Sequence, residues 1–495
     1  MELAHIEGVL LTERLDQDAL GDPSALMPAV GDQESQQRPE LVGAVSEHDR
    51  CPTAGARPWV FVFAYAEPMV LPPGPRSPAI WQTLAWMSRP GAFLQGVHRR
   101  FGDPATIRTY WTEEPMVLVS SPDAVRDVFA LPAEIAPAGQ SWEFLRPFAG
   151  PDSILLLDGD EHLRERRLLQ KPFHGERMRA LGPLVADLAQ RELDGWSGPV
   201  NTLERMRQLT LEIILRVVFG ARDAAEFTQL RDAVEETLSG VRSLPRLLSM
   251  VVVMRDLGPR SPWGRFRIAV ERFDGVLYEL LARRRAEPAG QHDGQSVLDL
   301  LLEARDENGR PPTDRHLRDQ LVALLMGGHD SSAASLAWAF ERLARHPAVQ
   351  ARLRDGDPAY VTAVVQEVLR VRPTLTIAPR LLLAPARIGG RTIPAGVQVA
   401  ACLWLAMRRQ DLWPDAAAFR PERWLDGPAP DPLSWIPYGG GVRRCAGAPF
   451  AEMEMREVLR AAAPLRLRPA HRQAERARRS LLVVVPDRGG EVIVG

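Results

Sequence analysis

The chain has 495 residues, of which 45% are hydrophobic and 25% are charged, and this is the composition of an ordinary folded protein. Its formal net charge is −2, and only 6% of its residues are aromatic. These values exclude collagen-like, acidic-disordered and coiled-coil classes. They also give no electrostatic basis for binding nucleic acid, so no nucleic-acid partner is expected.

The cysteines and the apolar segments indicate the cellular compartment. Cys51, Cys402 and Cys445 form no CxxC pair, so neither a disulfide framework nor a structural zinc site is expected. No apolar run reaches the ~18 residues that a membrane span needs. The N-terminus lacks the basic region of a signal peptide. We therefore predict a cytoplasmic protein without a transmembrane anchor.

The first part of the chain differs from the rest in composition and in hydrophobic periodicity. Residues 1–56 are polar, with scattered Gly, Pro, Gln and Asp and little periodicity, and we predict a poorly structured N-terminal extension over residues 1–68. The rigid segment Leu71-Pro72-Pro73-Gly74-Pro75 comes next, and we predict one folded domain over residues 69–495. Met69 stands just before that segment, so one hypothesis is that translation begins there.

The periodicity of the folded part favours helices. Apolar residues at helical spacing predict helices over Leu203–Phe219, Trp263–Arg285 and Thr313–Ala344, the last one very long and free of proline. Strand-like segments are few: Ala105–Tyr110, Met116–Ser120, Arg387–Ile393, Gln398–Leu403 and a closing pair near Leu481–Val485 and Glu491–Val494. The predicted class is therefore mainly α with a minor β portion.

The strongest chemical signal is the segment Tyr438-Gly-Gly-Gly-Val-Arg-Arg-Cys-Ala-Gly447, which precedes a predicted helix over Pro449–Ala462. Its glycines allow close approach of a flat, bulky group. Cys445 stands just before a helix N-terminus, which favours the thiolate, and Arg443 can meet an anion. A haem iron with its propionates needs such a pair. The alternatives are a buried, inert cysteine and a phosphate loop, but no Gly-Lys-Ser/Thr follows the glycines.

This segment closely resembles the haem-thiolate signature of the cytochrome P450 family, Phe-x-x-Gly-x-Arg-x-Cys-x-Gly. Gly441, Arg443, Cys445 and Gly447 match it, while Tyr438 stands where the family has Phe. The resemblance covers the chain from about Leu71 onward and is of the soluble bacterial type. It implies the cytochrome P450 fold, with haem b (iron protoporphyrin IX) between the long central helix and the cysteine loop. It further implies that Cys445 is the iron ligand and that Arg443 and Gly447 bind the cofactor.

Glu367 and Arg370 are three residues apart, so they share one face of a helix. Alone, such a pair is commonly a surface ion pair. Here it resembles the Glu-x-x-Arg motif of the family, and Arg423 matches the arginine that joins it from a later loop. The resemblance implies that the three residues form a buried structural charge cluster on the haem side of the core.

The segment Gly327-Gly328-His329-Asp330-Ser331 lies in the middle of the long predicted helix. Adjacent glycines weaken a helix, and they are tolerated where something approaches closely or the helix bends. The segment resembles the oxygen-site motif of the family. The resemblance implies that Gly328 approaches the haem, that Asp330 is the acid of a proton relay and that Ser331, in place of the commoner Thr, is the hydroxyl donor. The alternative is a kinked but inert helix.

Three further residues match the positions that hold haem propionates in the family. His162 and Arg166 are four residues apart and share a helical face, and Arg380 follows Pro379. Without the other motifs, each would be a solvated charge. The resemblance implies that all three are cofactor-binding residues.

The activity that the resemblance implies is monooxygenation with O₂, with electrons from separate proteins such as a ferredoxin and a ferredoxin reductase. The alternatives are a peroxide-driven peroxygenase or isomerase on the same scaffold and a non-catalytic haem-binding protein. We expect a monomer.

The substrate pocket is expected, from family position, to have five walls: Trp142–Ile154, Thr237–Val253, Leu324–Met326, Thr374–Ala378 and the turn near Ser480–Leu481. These walls are largely apolar, which suits a lipophilic molecule such as a fatty acid, a terpenoid or a polyketide-like lipid. Arg146 and Arg242 are candidates for anchoring a carboxylate, with surface charges as the alternative interpretation.

Overall fold

The computed structural model describes residues 70–110, 112, 114–173, 175–239, 258–287, 296–426 and 430–495. All of them belong to the unit Glu67–Gly495. The predicted N-terminal extension over residues 1–68 and the hypothetical start at Met69 lie outside the described residues.

Helices dominate the described chain, as predicted. They are α1 Ala79–Ser88, α2 Pro90–Phe101, α3 Pro122–Ala130, α4 Arg146–Ala149, α5 Gly159–Gln170, α6 Gly175–Asp194, α7 Thr202–Val217, α8 Ala224–Ser239, α9 Pro262–Ala286, α10 Val297–Glu303, α11 Asp314–Arg345, α12 Pro347–Leu353, α13 Pro358–Val371, α14 Leu403–Ala406 and α15 Ala448–Ala462. Short 3₁₀ turns cover Gly139–Leu145, Lys171–Phe173, Pro421–Trp424 and Gly441–Arg443.

The strands are short. They are β1 Ala105–Ile107, β2 Met116–Val119, β3 Gly198–Val200, β4 Ala378–Leu381, β5 Ala386–Ile388, β6 Arg391–Ile393, β7 Gln398–Ala401, β8 Leu467–Pro469, β9 Ala477–Ser480, β10 Val483–Pro486 and β11 Val492–Val494. One sheet has the order β1-β2-β7-β4, in which only the β2–β7 pair is parallel. A second sheet has the order β3-β11-β8, and β9–β10 and β5–β6 are separate antiparallel pairs.

The predicted closing pair of strands requires a correction. Both segments are strands, but they do not pair with each other: β10 pairs with β9, and β11 pairs with β3 and β8. Hydrophobic alternation identifies a strand, whereas its partner is set by long-range packing that a local pattern does not contain.

Helix α11 is the centre of the fold. Thr313 caps its N-terminus by accepting a hydrogen bond from the N–H of His316, and no proline interrupts its 32 residues. From Ala333 to Phe340 it is buried on every side, because α7, α13, α15 and β10 pack around it. The largest hydrophobic core joins this helix to α6, α7, α9, α13 and α15. The cysteine loop comes directly before α15, so it is fixed to the same core.

Candidate functional site

The cysteine loop is shaped by its packing against α3. The Cys445 N–H donates to Tyr438 O at 2.9 Å, which closes the loop. Gly441 has a φ of 61°, in the left-handed region that favours glycine. A Cβ at Gly440 would lie 2.2 Å from the ring of Phe129, and a Cβ at Gly441 would lie 2.5 Å from Phe129 O. Gly440 is therefore required by the side chain of Phe129 and Gly441 by its backbone, whereas a Cβ at Gly447 would have nothing within 4 Å.

The thiol of Cys445 is exposed at the end of this loop. The surrounding protein desolvates it and raises its pKa, while the N–H groups of Gly447 and Ala448 and the charges of Arg166 and Arg444 oppose that rise. The predicted preference for thiolate is therefore not met by the protein alone. A bound metal ion deprotonates a coordinating thiol outright, and the two N–H donors are already directed at its sulfur.

A group of three arginines surrounds His162. This histidine is 4% exposed, and burial together with the charges of Arg443, Arg166 and Arg380 lowers its pKa to about 3. It is therefore neutral at physiological pH. Arg443 donates to Ile154 O at 3.1 Å and to Asp158 Oδ1 at 2.6 Å.

The other two arginines of this group are held by backbone oxygens. Arg166 Nη1 donates to Arg444 O at 2.5 Å, and Arg380 Nη1 donates to Pro379 O at 2.8 Å. Burial and the charge of Arg443 lower the pKa of Arg380 to about 10, with Asp158 opposing. Asp158 is the carboxylate that pairs with this group, through Arg443. The excess of positive charge fits the two propionates of a haem, and the nearby exposed thiol fits its iron.

The predicted charge cluster is present and fully buried. Arg370 makes two hydrogen bonds of 2.8 Å to the carboxylate of Glu367, and neither side chain has any exposed surface. Arg423 Nε and Trp424 Nε1 each donate to the same carboxylate at 3.0 Å. The remaining donors of Arg370 bind the carbonyl oxygens of Met407, Ala416 and Ala418. Every charge is thereby satisfied, which a buried ion pair requires.

The two glycines of α11 have different environments. Gly327 is exposed, and a Cβ there would have nothing within 4 Å. A Cβ at Gly328 would lie 2.6 Å from Ile214 Cδ1 of α7. The resemblance implies that Gly328 approaches the haem. In the structure, Gly327 is the more open of the two positions, and a side chain at Gly328 would meet the flexible end of Ile214. Helical periodicity alone does not show this difference, because it does not show where α7 packs.

The two polar residues that end this motif, Asp330 and Ser331, each have a bonding partner. Asp330 Oδ1 lies 3.0 Å from Arg207 Nε of α7. Ser331 Oγ donates to Gly327 O at 2.5 Å. Asp330 also lines an apolar cavity beside α11. An acid and a hydroxyl are thus present next to the exposed Gly327, as the motif requires.

Comparison with known proteins identifies the family. The sequence model for "Cytochrome P450" matches residues 72–356 and 357–462. The chain belongs to the cytochrome P450 family. A Mycobacterium tuberculosis protein named cytochrome P450 135B1 is 37% identical over 448 residues, covering 86% of this chain and 92% of the relative. Another protein of the same organism, named cytochrome P450 138, is 34% identical over 447 residues, covering 88% of this chain and 99% of that relative.

Solved structures confirm the predicted fold. A retinoic-acid-bound cyanobacterial cytochrome P450, CYP120A1, matches with a TM-score of 0.71 at 22% identity, over 84% of this chain and 96% of that one. The haem domain of cytochrome P450DA matches with a TM-score of 0.72 at 20% identity, over 86% and 98%. Membership of the family makes haem the cofactor and confirms the predicted P450 enzyme class. In the described part of the chain, no helix is both long and apolar enough to cross a membrane.

An apolar cavity of about 380 Å³ lies beside α11 of this P450. Parts of all five predicted walls line it, represented by Phe148, Thr237, Met326, Ile377 and Leu481. The predicted wall Thr237–Val253 lies outside the described residues from position 240 onward. This undescribed part includes Arg242, the other candidate for anchoring a carboxylate. Arg146 is not in the cavity lining; it is exposed and pairs with Glu143.

Sequence reasoning missed several residues of this P450 cavity. Helix α1 contributes Trp86 and Met87, helix α9 contributes Trp263 and Phe266, and strand β9 contributes Arg479. It also missed Arg207, the partner of Asp330. A lone arginine has no local signature in a chain with 61 Lys and Arg residues. Only the fold brings these side chains together.

Proposed function

We propose that the chain is a haem-thiolate monooxygenase that hydroxylates or epoxidises a lipophilic small molecule. The oxidant is O₂, and the electrons come from separate proteins, a ferredoxin and a ferredoxin reductase. The observation that carries this proposal is the position of Asp330. Its carboxylate lines an apolar cavity of substrate size and lies three residues from the exposed Gly327 of the central helix.

The residues that would hold the cofactor are distributed over four elements. Cys445 of the loop before α15 would be the iron ligand, and the N–H groups of Gly447 and Ala448 would stabilise its charge. His162 of α5, Arg380 of β4 and Arg443 would hold the propionates together with Arg166. When bound, haem supplies O₂ activation, with the thiolate favouring cleavage of the O–O bond.

The remaining residues control protons, water and orientation. Asp330 exchanges protons when its pair with Arg207 opens, and Ser331 presents a hydroxyl one residue further along. The apolar walls of the cavity exclude water and orient the substrate towards Gly327. Arg444 is exposed beside the cysteine loop and could meet an acidic electron donor.

We propose a cytoplasmic monomer whose P450 domain comprises residues 69–495. The intact mass of native protein tests the hypothetical start at Met69, because a species beginning at Met1 contradicts it.

The first test is the CO difference spectrum of the reduced protein, with wild type compared with Cys445→Ala. We expect a thiolate-type band in wild type that the variant lacks. The second test compares product formation with ferredoxin, reductase and NAD(P)H against product formation with peroxide. Turnover with peroxide alone assigns the activity to a peroxygenase, and haem binding without turnover assigns a binding role. Absence of a thiolate-type band in wild type overturns the proposal.

A further inference from the structure

Arg479 lies in the wall of the apolar cavity, and no carboxylate of the described residues pairs with it. It belongs to β9, it is half-buried, and the accessible part of its side chain faces the cavity. Its Nε has no hydrogen-bond partner. Among the described residues, no carboxylate pairs with it, and burial alone lowers its pKa to about 10. The guanidinium therefore stays charged at neutral pH, and an unpaired charge in such surroundings is costly.

An aromatic ring fixes this guanidinium in place. Arg479 Cζ lies 4.6 Å from the centre of the Trp86 ring, within range of a cation–π interaction. Trp86 also lines the cavity, and its indole Nε1–H has no acceptor. The indole N–H and Arg479 Nε are both buried, so the part of Arg479 that faces the cavity is the rest of its guanidinium. A carboxylate, with two acceptor oxygens, is complementary to those N–H groups.

The carboxylate that lines the cavity is already paired. Among the described lining residues, Asp330 is the only acid, and it binds Arg207. Arg207 also approaches Ser480 Oγ at 3.5 Å. Because neighbouring residues of a strand point to opposite faces, Arg479 points away from this pair. Among the described residues, the cavity wall therefore contains one positive charge without a counter-ion, that of Arg479, and one carboxylate, Asp330, that is neutralised by Arg207.

We propose that Arg479 binds the carboxylate of an amphipathic acid whose apolar body fills the cavity. This inference rests on the proposed function, because it names the substrate class of the same site. The acid group is held away from Asp330, so the apolar part of the molecule reaches Leu325 and Met326 on α11. Oxidation would accordingly take place on the hydrocarbon part, remote from the carboxylate.

The experiment measures binding by calorimetry to the haem-loaded protein. The probes are two acids of different skeleton, dodecanoic acid and abietic acid, each paired with its methyl ester. In wild type, we expect at least one acid to bind about 10-fold tighter than its ester. In Arg479→Gln, we expect the affinity for that acid to fall about 10- to 100-fold while the affinity for the ester is unchanged. Arg479→Lys, which keeps the charge, should retain part of the preference.

The matched control is Arg146→Gln, which removes an exposed arginine that pairs with Glu143 outside the cavity. It should leave both affinities unchanged. The inference is overturned if neither acid binds, if acids and esters bind equally to wild type, or if Arg479→Gln weakens both equally. The CO difference spectrum of the same preparations separates this failure from that of the proposed function. A thiolate-type band without acid preference overturns the inference alone, and a missing band overturns the function.

Discussion

Arg207 of α7 and Asp330 of α11 form an ion pair with 3.0 Å between Nε and Oδ1, and their side chains are only 12% and 15% exposed. The two helices pack closely along their length. An ionised carboxylate held by a guanidinium has no proton to donate. Under the proposed function, Asp330 delivers a proton only after this pair opens, so Arg207 would set how readily delivery occurs.

Replacement of Asp330 by Asn tests this relay. The amide keeps the shape of the side chain and cannot exchange a proton as a carboxyl does, so we expect turnover with redox partners to fall by about 100-fold or more. The CO difference spectrum should not change. Glu143→Gln, which removes an exposed carboxylate, is the control and should turn over normally. Wild-type turnover by Asp330→Asn would remove this residue from the mechanism.

Ser331 is expected to control how efficiently electrons are converted into product. Its hydroxyl donates to Gly327 O at 2.5 Å, but serine lacks the branch at Cβ that restricts χ1 in threonine. We expect Ser331→Ala to consume NAD(P)H while forming less product per equivalent, and Ser331→Thr to form at least as much as wild type. Product and NAD(P)H are measured in the same reaction. Equal yields from Ser331→Ala and wild type would contradict the assigned role.

The helical part of the fold was predictable because its signals are local. The structure places α11 at Asp314–Arg345, where the sequence predicted Thr313–Ala344. Apolar periodicity and a capping threonine define this helix without reference to the rest of the chain. The pairing of β11 with β3 and β8 has no such local signal, because the partners come from distant segments.

The candidate site likewise contains residues that local motifs identify and residues that only tertiary packing brings into it. Cys445, Arg443, Glu367 and Arg370 have fixed spacings that a sequence shows directly. Arg207 lies 123 residues from Asp330, so its role depends on how α7 packs on α11. The difference in surroundings between Gly327 and Gly328 likewise depends on the position of Ile214. Local motifs therefore indicate the chemistry, and tertiary packing decides which neighbouring residue performs it.

The buried cluster of Glu367, Arg370 and Arg423 should be a major source of stability. Arg370→Leu would leave the Glu367 carboxylate buried without its bidentate partner, and we expect a loss of about 3–5 kcal/mol in the free energy of unfolding. Urea denaturation measures it. The control is Arg126→Leu, because Arg126 and Asp123 are 57% and 86% exposed, and its effect should stay below about 1 kcal/mol. Equal effects of the two variants would contradict a structural role for the cluster.

The two glycines of α11 form a matched pair for substitution. Gly327→Ala meets no atom within 4 Å, so helix propensity alone should stabilise the haem-free protein by about 0.5–1 kcal/mol. Gly328→Ala adds a methyl group 2.6 Å from Ile214 Cδ1, and we expect it to gain less or to destabilise. Thermal unfolding of both variants measures the difference. The haem content of Gly327→Ala should fall if that position faces the cofactor, and the reverse order of stabilities would refute the assignment.

Glu454 of α15 should make stability depend on pH. It is 1% exposed, and burial raises the pKa of its carboxyl to about 8 against a usual value of 4.5, while a hydrogen bond with the hydroxyl of Ser332 opposes the rise. The fold therefore favours the protonated form. Between about pH 4.5 and pH 8, the unfolded chain ionises before the folded one, so the contribution of this group to stability is lost as pH rises through that window.

Glu454→Gln should remove this dependence. At pH 7 the variant should be more stable than wild type by as much as about 3 kcal/mol, and near pH 4.5 the two should be equal, because the protonated acid and the amide are then alike. Urea denaturation across this pH range measures both curves. The control is Glu457→Gln on the same helix, where Glu457 pairs with Arg460 near the surface, and its curve should run parallel to that of wild type. A constant difference between Glu454→Gln and wild type at every pH would show that Glu454 is ionised in the folded protein.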